Sequence, residues 1–222
     1  MLMSGACGQF MYRQHRARFI PTALWCDLSV TEFLMRKMAQ NVFMQTSVWL
    51  VSRDLTEAAG PWDASLSLDD DGEYFCRVLL ASDGVRFVPE ARVYYRISGS
   101  SSLSYVGRSN KKLESQWRSM RSYVGHLLAL EDSPRSRSAC ARFLQDWLIY
   151  FYPDRLDIVK QAQQLAEDLG EHLEIPQLSW KYSWIQALFG WGLAKRAQVF
   201  LPSEKLRFKR MWDKTLFCLN MP

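Results

Sequence analysis

Three consecutive aspartates, Asp69-Asp70-Asp71, lead into Gly72-Glu73-Tyr74-Phe75-Cys76-Arg77, and this run limits what its surroundings can become. Adjacent carboxylates repel one another, so at least one is driven to a higher pKa unless cations or hydrogen bonds compensate. The apolar residues that follow, Tyr74, Phe75, Val78 and Leu79, recur at helical spacing. The triplet therefore stands at a helix N-terminus. Two roles are open to it there. The aspartates can cap the helix, satisfying its free N–H groups and its dipole. Alternatively, one of them is a general base presented in a cleft. A calcium loop is disfavoured, because its oxygen ligands alternate along a longer loop that ends in a glutamate.

The flanking sequence reads as alternating helix and strand. Ser29 and Glu32 form a capping box for a helix over 27–39, with Val30, Phe33, Leu34 and Met38 on one face. Residues 42–52 are rich in β-formers. Val48 and Leu50 lie on one side and Trp49 and Val51 on the other, which predicts a strand covered on both faces. A short helical turn over 53–59 is closed by Gly60-Pro61. After the acidic helix, Gly84 introduces two short strands, 85–89 and 91–97, and a serine-rich loop over 98–102.

Taken together, Trp49 to Arg53, Gly60-Pro61-Trp62-Asp63, Asp70-Asp71, Arg77 and the strand pair ending in Tyr95-Arg96 resemble the second half of family 2 glycosyltransferases. These are inverting nucleotide-sugar enzymes with a GT-A fold. The resemblance covers about fifty residues in the family's order. It implies that Asp71, second of the acidic pair, is the base that deprotonates an acceptor hydroxyl. It further implies that Asp70 orients the acceptor or tunes Asp71, that Trp49 stacks on a sugar ring, and that Arg77 pairs with the acidic cluster. The last two have plainer alternatives: a buried Trp49, and a structural salt bridge for Arg77. A base of this kind works best with its pKa moved towards the working pH. In many relatives a metal-holding histidine follows the Tyr-Arg pair, where this chain has Ile97 and Ser98, so no protein metal ligand is expected there.

A complete enzyme of the family also has a Rossmann-like donor half with an Asp-x-Asp motif, whose Mg or Mn offsets the charge of the departing diphosphate. Before Trp49 the only acids are Asp27 and Glu32, and no glycine-rich phosphate loop is present. The expectation is therefore an acceptor-side half over 1–108, a partial GT-A-like α/β sheet with flanking helices and no metal site of its own. The cofactor and the nucleotide-sugar donor would belong to a complete enzyme acting on a glycan, lipid or other hydroxyl acceptor. A start codon misplaced within a longer gene, or a gene fragment, accounts for the missing half, and a separate donor polypeptide is the third explanation.

From residue 109 the pattern is helical. Leu113, Trp117, Met120, Val124 and Leu127 form one stripe, Ser133-Pro134 starts the next helix, and a third ends at Gly170. Ser203 is read as opening a basic amphipathic helix in which Lys205, Arg207, Lys209, Arg210 and Lys214 flank Leu206, Phe208, Met211 and Trp212. Such a helix covers a core or lies in a membrane interface. This gives the rival reading, a non-catalytic interaction or membrane-surface module contacting lipid through 203–222. With 48% hydrophobic residues in 222, the chain can build a packed core, and its net charge of +5 is mildly basic. No zinc-finger, RNA-binding or helix-turn-helix pattern argues for nucleic acid. Five scattered cysteines without metal spacing, and an N-terminus without signal-peptide character, point to the cytoplasm or the inner face of its membrane.

Overall fold

In the computed structural model, which describes residues 1–98 and 109–219, the chain is a mixed α/β protein with a four-stranded sheet. The strands are β1 (Leu2–Phe10), β2 (Arg18–Phe19), β3 (Trp49–Val51) and β4 (Arg86–Arg96). β1 pairs with each of the other three, and antiparallel to β3 in the register Leu2 to Val51 and Ser4 to Trp49. The helices are α1 (Val30–Ala39), α2 (Arg53–Ala59), α3 (Asp70–Leu80), α4 (Asn110–Leu130), α5 (Pro134–Phe151), α6 (Leu156–Asp168) and α7 (Ser183–Cys218).

Several elements form where local chemistry places them. Ser29 caps α1 by accepting from the Glu32 amide, Ser109 and Ser133 do the same for α4 and α5, and Pro134 takes the first position of α5. Three readings are corrected. The strand expected over 42–52 is three residues long, because Gln45 Oε1 accepts from the Ser47 amide and winds 46–48 into a 3-10 turn. It is also not covered on both faces: Leu50 is 63% exposed. The two strands expected over 85–97 are one, β4, running through Pro89. The basic C-terminal helix does not begin at Ser203, since α7 continues through Pro202 and is broken instead at Gly190, whose φ of 80° is left-handed. Of the serine-rich loop, all but Ser98 lies outside the described residues.

The chain divides into two compact units, one of residues 1–7, 19–93 and 106–174, the other of 8–18, 94–105 and 175–222. The apolar stripe of α4 packs on α3, α5 and α1, which ties the first helices after residue 109 to the acidic helix. The core of this first unit is almost water-free: Leu34, Met38, Val78, Met120, Leu144 and Leu148 are each at most 1% exposed. Burying such side chains contributes roughly 1.5–3 kcal/mol each.

The second unit is held by polar and aromatic ties. Asp213 on α7 accepts from the Tyr12 and Arg13 amides (2.8 and 3.2 Å) and pairs with the Arg13 guanidinium at 2.8 Å. Arg210 stands over the Tyr12 ring, whose centroid lies 6.3 Å from that of Phe217. Trp191 donates to the Pro176 carbonyl and the Ser179 amide to Gln198, so the 176–180 stretch folds back along α7.

Candidate active site

The acidic triplet opens α3, but not as three caps. Asp69 holds the N-cap position with φ 58°, a left-handed conformation that few residues besides glycine, Asn and Asp tolerate. Its side chain makes no capping hydrogen bond. Instead the carboxylate turns inward, where Gln116 Nε2 donates to it at 3.5 Å and the Tyr123 hydroxyl lies against it. Burial is the largest cause of its pKa being pushed up to about 6. Lys37 and the neighbouring hydroxyl and amide hold it down from there. Tyr123 is itself sealed from water, and its own pKa is raised well above normal by that burial and by the Asp69 charge.

Asp71 is one residue further on and faces the same space. Its Oδ2 accepts from Thr46 Oγ at 2.6 Å and its Oδ1 from the Gly72 amide at 2.9 Å. Gly72 fits between these groups because it has no Cβ: one built there would overlap both Asp69 Oδ1 and the Tyr123 hydroxyl. The carboxyl of the triplet that burial drives towards the neutral range is Asp69.

Around Asp69 and Asp71 lies a cavity of about 220 Å³. Its walls are largely apolar, with Trp49, Phe75, Phe33, Phe143 and Trp147 among them, and Lys37 and Gln116 supply polar groups. Trp49 stacks on Phe75 with centroids 5.3 Å apart, and Trp147 donates to Asn41 Oδ1 at 3.1 Å, which fixes one side of the rim. This volume is below the ~300–1,000 Å³ typical of ligand pockets, so it suits one ring-sized group.

Of the residues picked out in the sequence, the structure brings Asp71 and Trp49 together at this cavity and leaves two outside it. Asp70 is exposed, one helical position round from Asp71. Arg77 pairs with Glu73 rather than with the triplet, at 2.8 Å. It also donates to the carbonyls of Ala59 and Pro61 and so clamps the turn between α2 and α3. Trp62 stacks on Tyr74 at 4.4 Å beside it. The sequence reading missed Asp69 as the inward carboxyl, and with it Lys37, Thr46, Gln116 and Tyr123.

Among the described residues no group of three or more His, Cys, Asp or Glu side chains converges as a cation site. Cys76, on the cavity wall, is an inert thiol, its pKa pushed up to about 12 by burial. No family model matches the chain, and neither a curated protein nor a solved structure matches it.

Proposed function

We propose that this chain is the acceptor side of an inverting, family 2-like sugar transferase, with Asp71 as the general base. The observation that carries the reading is a hydroxyl already seated on that carboxylate. Thr46 Oγ donates to Asp71 Oδ2 at 2.6 Å, at the edge of a largely apolar cavity of ring size. An acceptor hydroxyl that displaces Thr46 Oγ from this oxygen gives its proton to Asp71. Its oxygen attacks the anomeric carbon of the donor, the bond from that carbon to the diphosphate oxygen breaks, and configuration inverts. Aromatic faces such as Trp49 and Trp147 suit the apolar face of a pyranose, while Lys37 and Gln116 suit its hydroxyls.

Asp69 acts on this base from behind. With its pKa near 6 it carries a proton part of the time at neutral pH, which relieves the repulsion that a full charge would place beside Asp71. The divalent cation that the resemblance implies does not fit the donor set here. Asp69 faces Gln116 and Tyr123, and no third His, Cys, Asp or Glu side chain joins it and Asp71 among the described residues. The nucleotide-sugar and its cation are assigned to a separate donor-binding partner segment.

Titration of the folded chain with simple hexoses and methyl glycosides, read by saturation-transfer NMR and tryptophan fluorescence, tests the acceptor site. Binding in the millimolar range is expected, lost in Trp49→Ala and weakened in Asp71→Asn with the fold intact. A well-folded protein that shows no saturation transfer to any of these sugars refutes the reading.

A further inference from the structure

Helix α7 presents an apolar stripe to water. Leu193, Leu201, Phe208, Met211 and Trp212 recur at helical spacing on one side, and they are 48, 51, 63, 59 and 59% exposed. The other side is the one in use within its unit, where Arg210, Asp213 and Phe217 meet Tyr12 and Arg13. Exposed cations border the stripe along both edges, Arg196, Arg207 and Lys214 along one and Lys205 and Lys209 along the other. Glu204, an acid on this side, is paired with Arg207. Ahead of the Gly190 break, Trp180, Trp184, Leu188 and Phe189 add large apolar groups that are at least 60% exposed.

Charge narrows what can cover such a surface. Residues 175–222 contain eight Lys and Arg against two acids, a net +6, while the whole chain carries +5. The rest of the molecule is therefore close to neutral, and the positive charge is gathered where the exposed tryptophans are. A second copy of the chain would set +6 against +6, which opposes pairing. A surface that is apolar within and anionic at its boundary satisfies both features. No helix among the described residues is long and apolar enough to cross a membrane.

We infer that α7 lies in the interface of an anionic lipid bilayer, with Phe208, Met211 and Trp212 among the acyl chains and the flanking lysines and arginines at the headgroups. This is the geometry of a basic amphipathic helix parallel to the membrane. Binding then depends on both parts. The aromatic stripe supplies hydrophobic burial, and each cation near the surface multiplies partitioning by about five-fold. The electrostatic part is screened within a Debye length, about 8 Å at physiological salt.

The full chain is sedimented with vesicles of phosphatidylcholine alone and of phosphatidylcholine mixed with phosphatidylglycerol, at low and high salt. Partitioning onto the anionic vesicles is expected at low salt, with a blue shift of tryptophan emission, at least ten-fold weaker on neutral vesicles and weakened by salt. Phe208→Ser with Trp212→Ser should reduce it more than ten-fold. Lys205→Gln with Lys209→Gln should reduce it about 25-fold, from two cations at about five-fold each. All four positions are exposed, so both variants should melt with the parent protein. Equal binding to neutral vesicles, no binding to anionic ones, or variants that bind like the parent overturn the inference. A dimer in analytical ultracentrifugation that Phe208→Ser with Trp212→Ser dissolves, without vesicle binding, overturns it in favour of a second copy.

Discussion

Replacing Asp69 with Asn should stabilise this protein at neutral pH and leave it almost unchanged in acid. Burial raises the Asp69 carboxyl from its ordinary 3.8 to about 6 in the folded state, whereas in the unfolded chain it returns to the ordinary value. Between those values the folded form binds more protons than the unfolded form, so stability falls as pH rises through the window and stays low above it. The difference corresponds to about 3 kcal/mol, and this is an upper figure because local relaxation and water entry reduce it. Asn keeps the shape and can still accept from Gln116 and face Tyr123, but it carries no charge to bury. Urea denaturation of both proteins from pH 4 to pH 8 measures the effect. The parent should lose stability relative to Asp69→Asn across pH 4–6, and the two should converge near pH 4. Subtracting the variant's curve removes groups that titrate alike in both, among them Glu131 and Asp157, whose carboxyls arginine partners hold near 2. Parallel curves over the whole range would refute the claim that the Asp69 charge is held at a cost.

Two further substitutions probe the same helix. Gly72→Ala ought to gain helix propensity, yet its methyl would meet Asp69 and the immobile Tyr123 hydroxyl. A net loss of about 1–3 kcal/mol in chemical denaturation is expected, and a neutral or stabilised variant contradicts the close approach. Arg77→Lys keeps the charge but not the fork that reaches Glu73 and the two carbonyls of the α2–α3 turn. It should lose about 1–3 kcal/mol and expose residues 60–68 to proteolysis, and a cleavage rate equal to the parent's would show that the clamp is dispensable.

What the sequence disclosed follows from how local each signal is. The capping box at Ser29, the serine-proline start of α5 and the stripe of α4 depend on residues within a turn or two, and each element lies where those signals put it. β1 has no comparable signature. Gly5, Ala6 and Gly8 give it weak strand propensity, and two of the segments it pairs with, β3 and β4, lie far along the chain. Charge crowding marked the triplet in the sequence, and the resemblance over about fifty residues singled out Asp71 within it and Trp49 ahead of it. The groups behind them were not legible, since folding alone brings Lys37, Thr46 and Tyr123 to the triplet. One hint was available. Ser115, Gln116 and Ser119 interleave with the apolar stripe of α4, and all three are at most 3% exposed. Polar residues at core positions need partners, and these find theirs at Leu68 and Asp69.

The bond between Asp213 and the amides of Tyr12 and Arg13 also fixes an order of events. It joins positions 200 residues apart in the chain. The turn after β1 is synthesised well before the carboxylate that accepts from its Tyr12 and Arg13 amides. Closing so long a loop carries an entropic penalty that grows with the logarithm of its length, and it falls when the intervening chain is already compact. The helices between residues 109 and 174 can pack on α1 and α3 before α7 exists, which compacts the intervening chain. On this account the unit containing α7 is the last to assemble, and a nascent chain stopped short of residue 213 would have a finished cavity while the turn at Tyr12 and Arg13 lacks its bonds to Asp213.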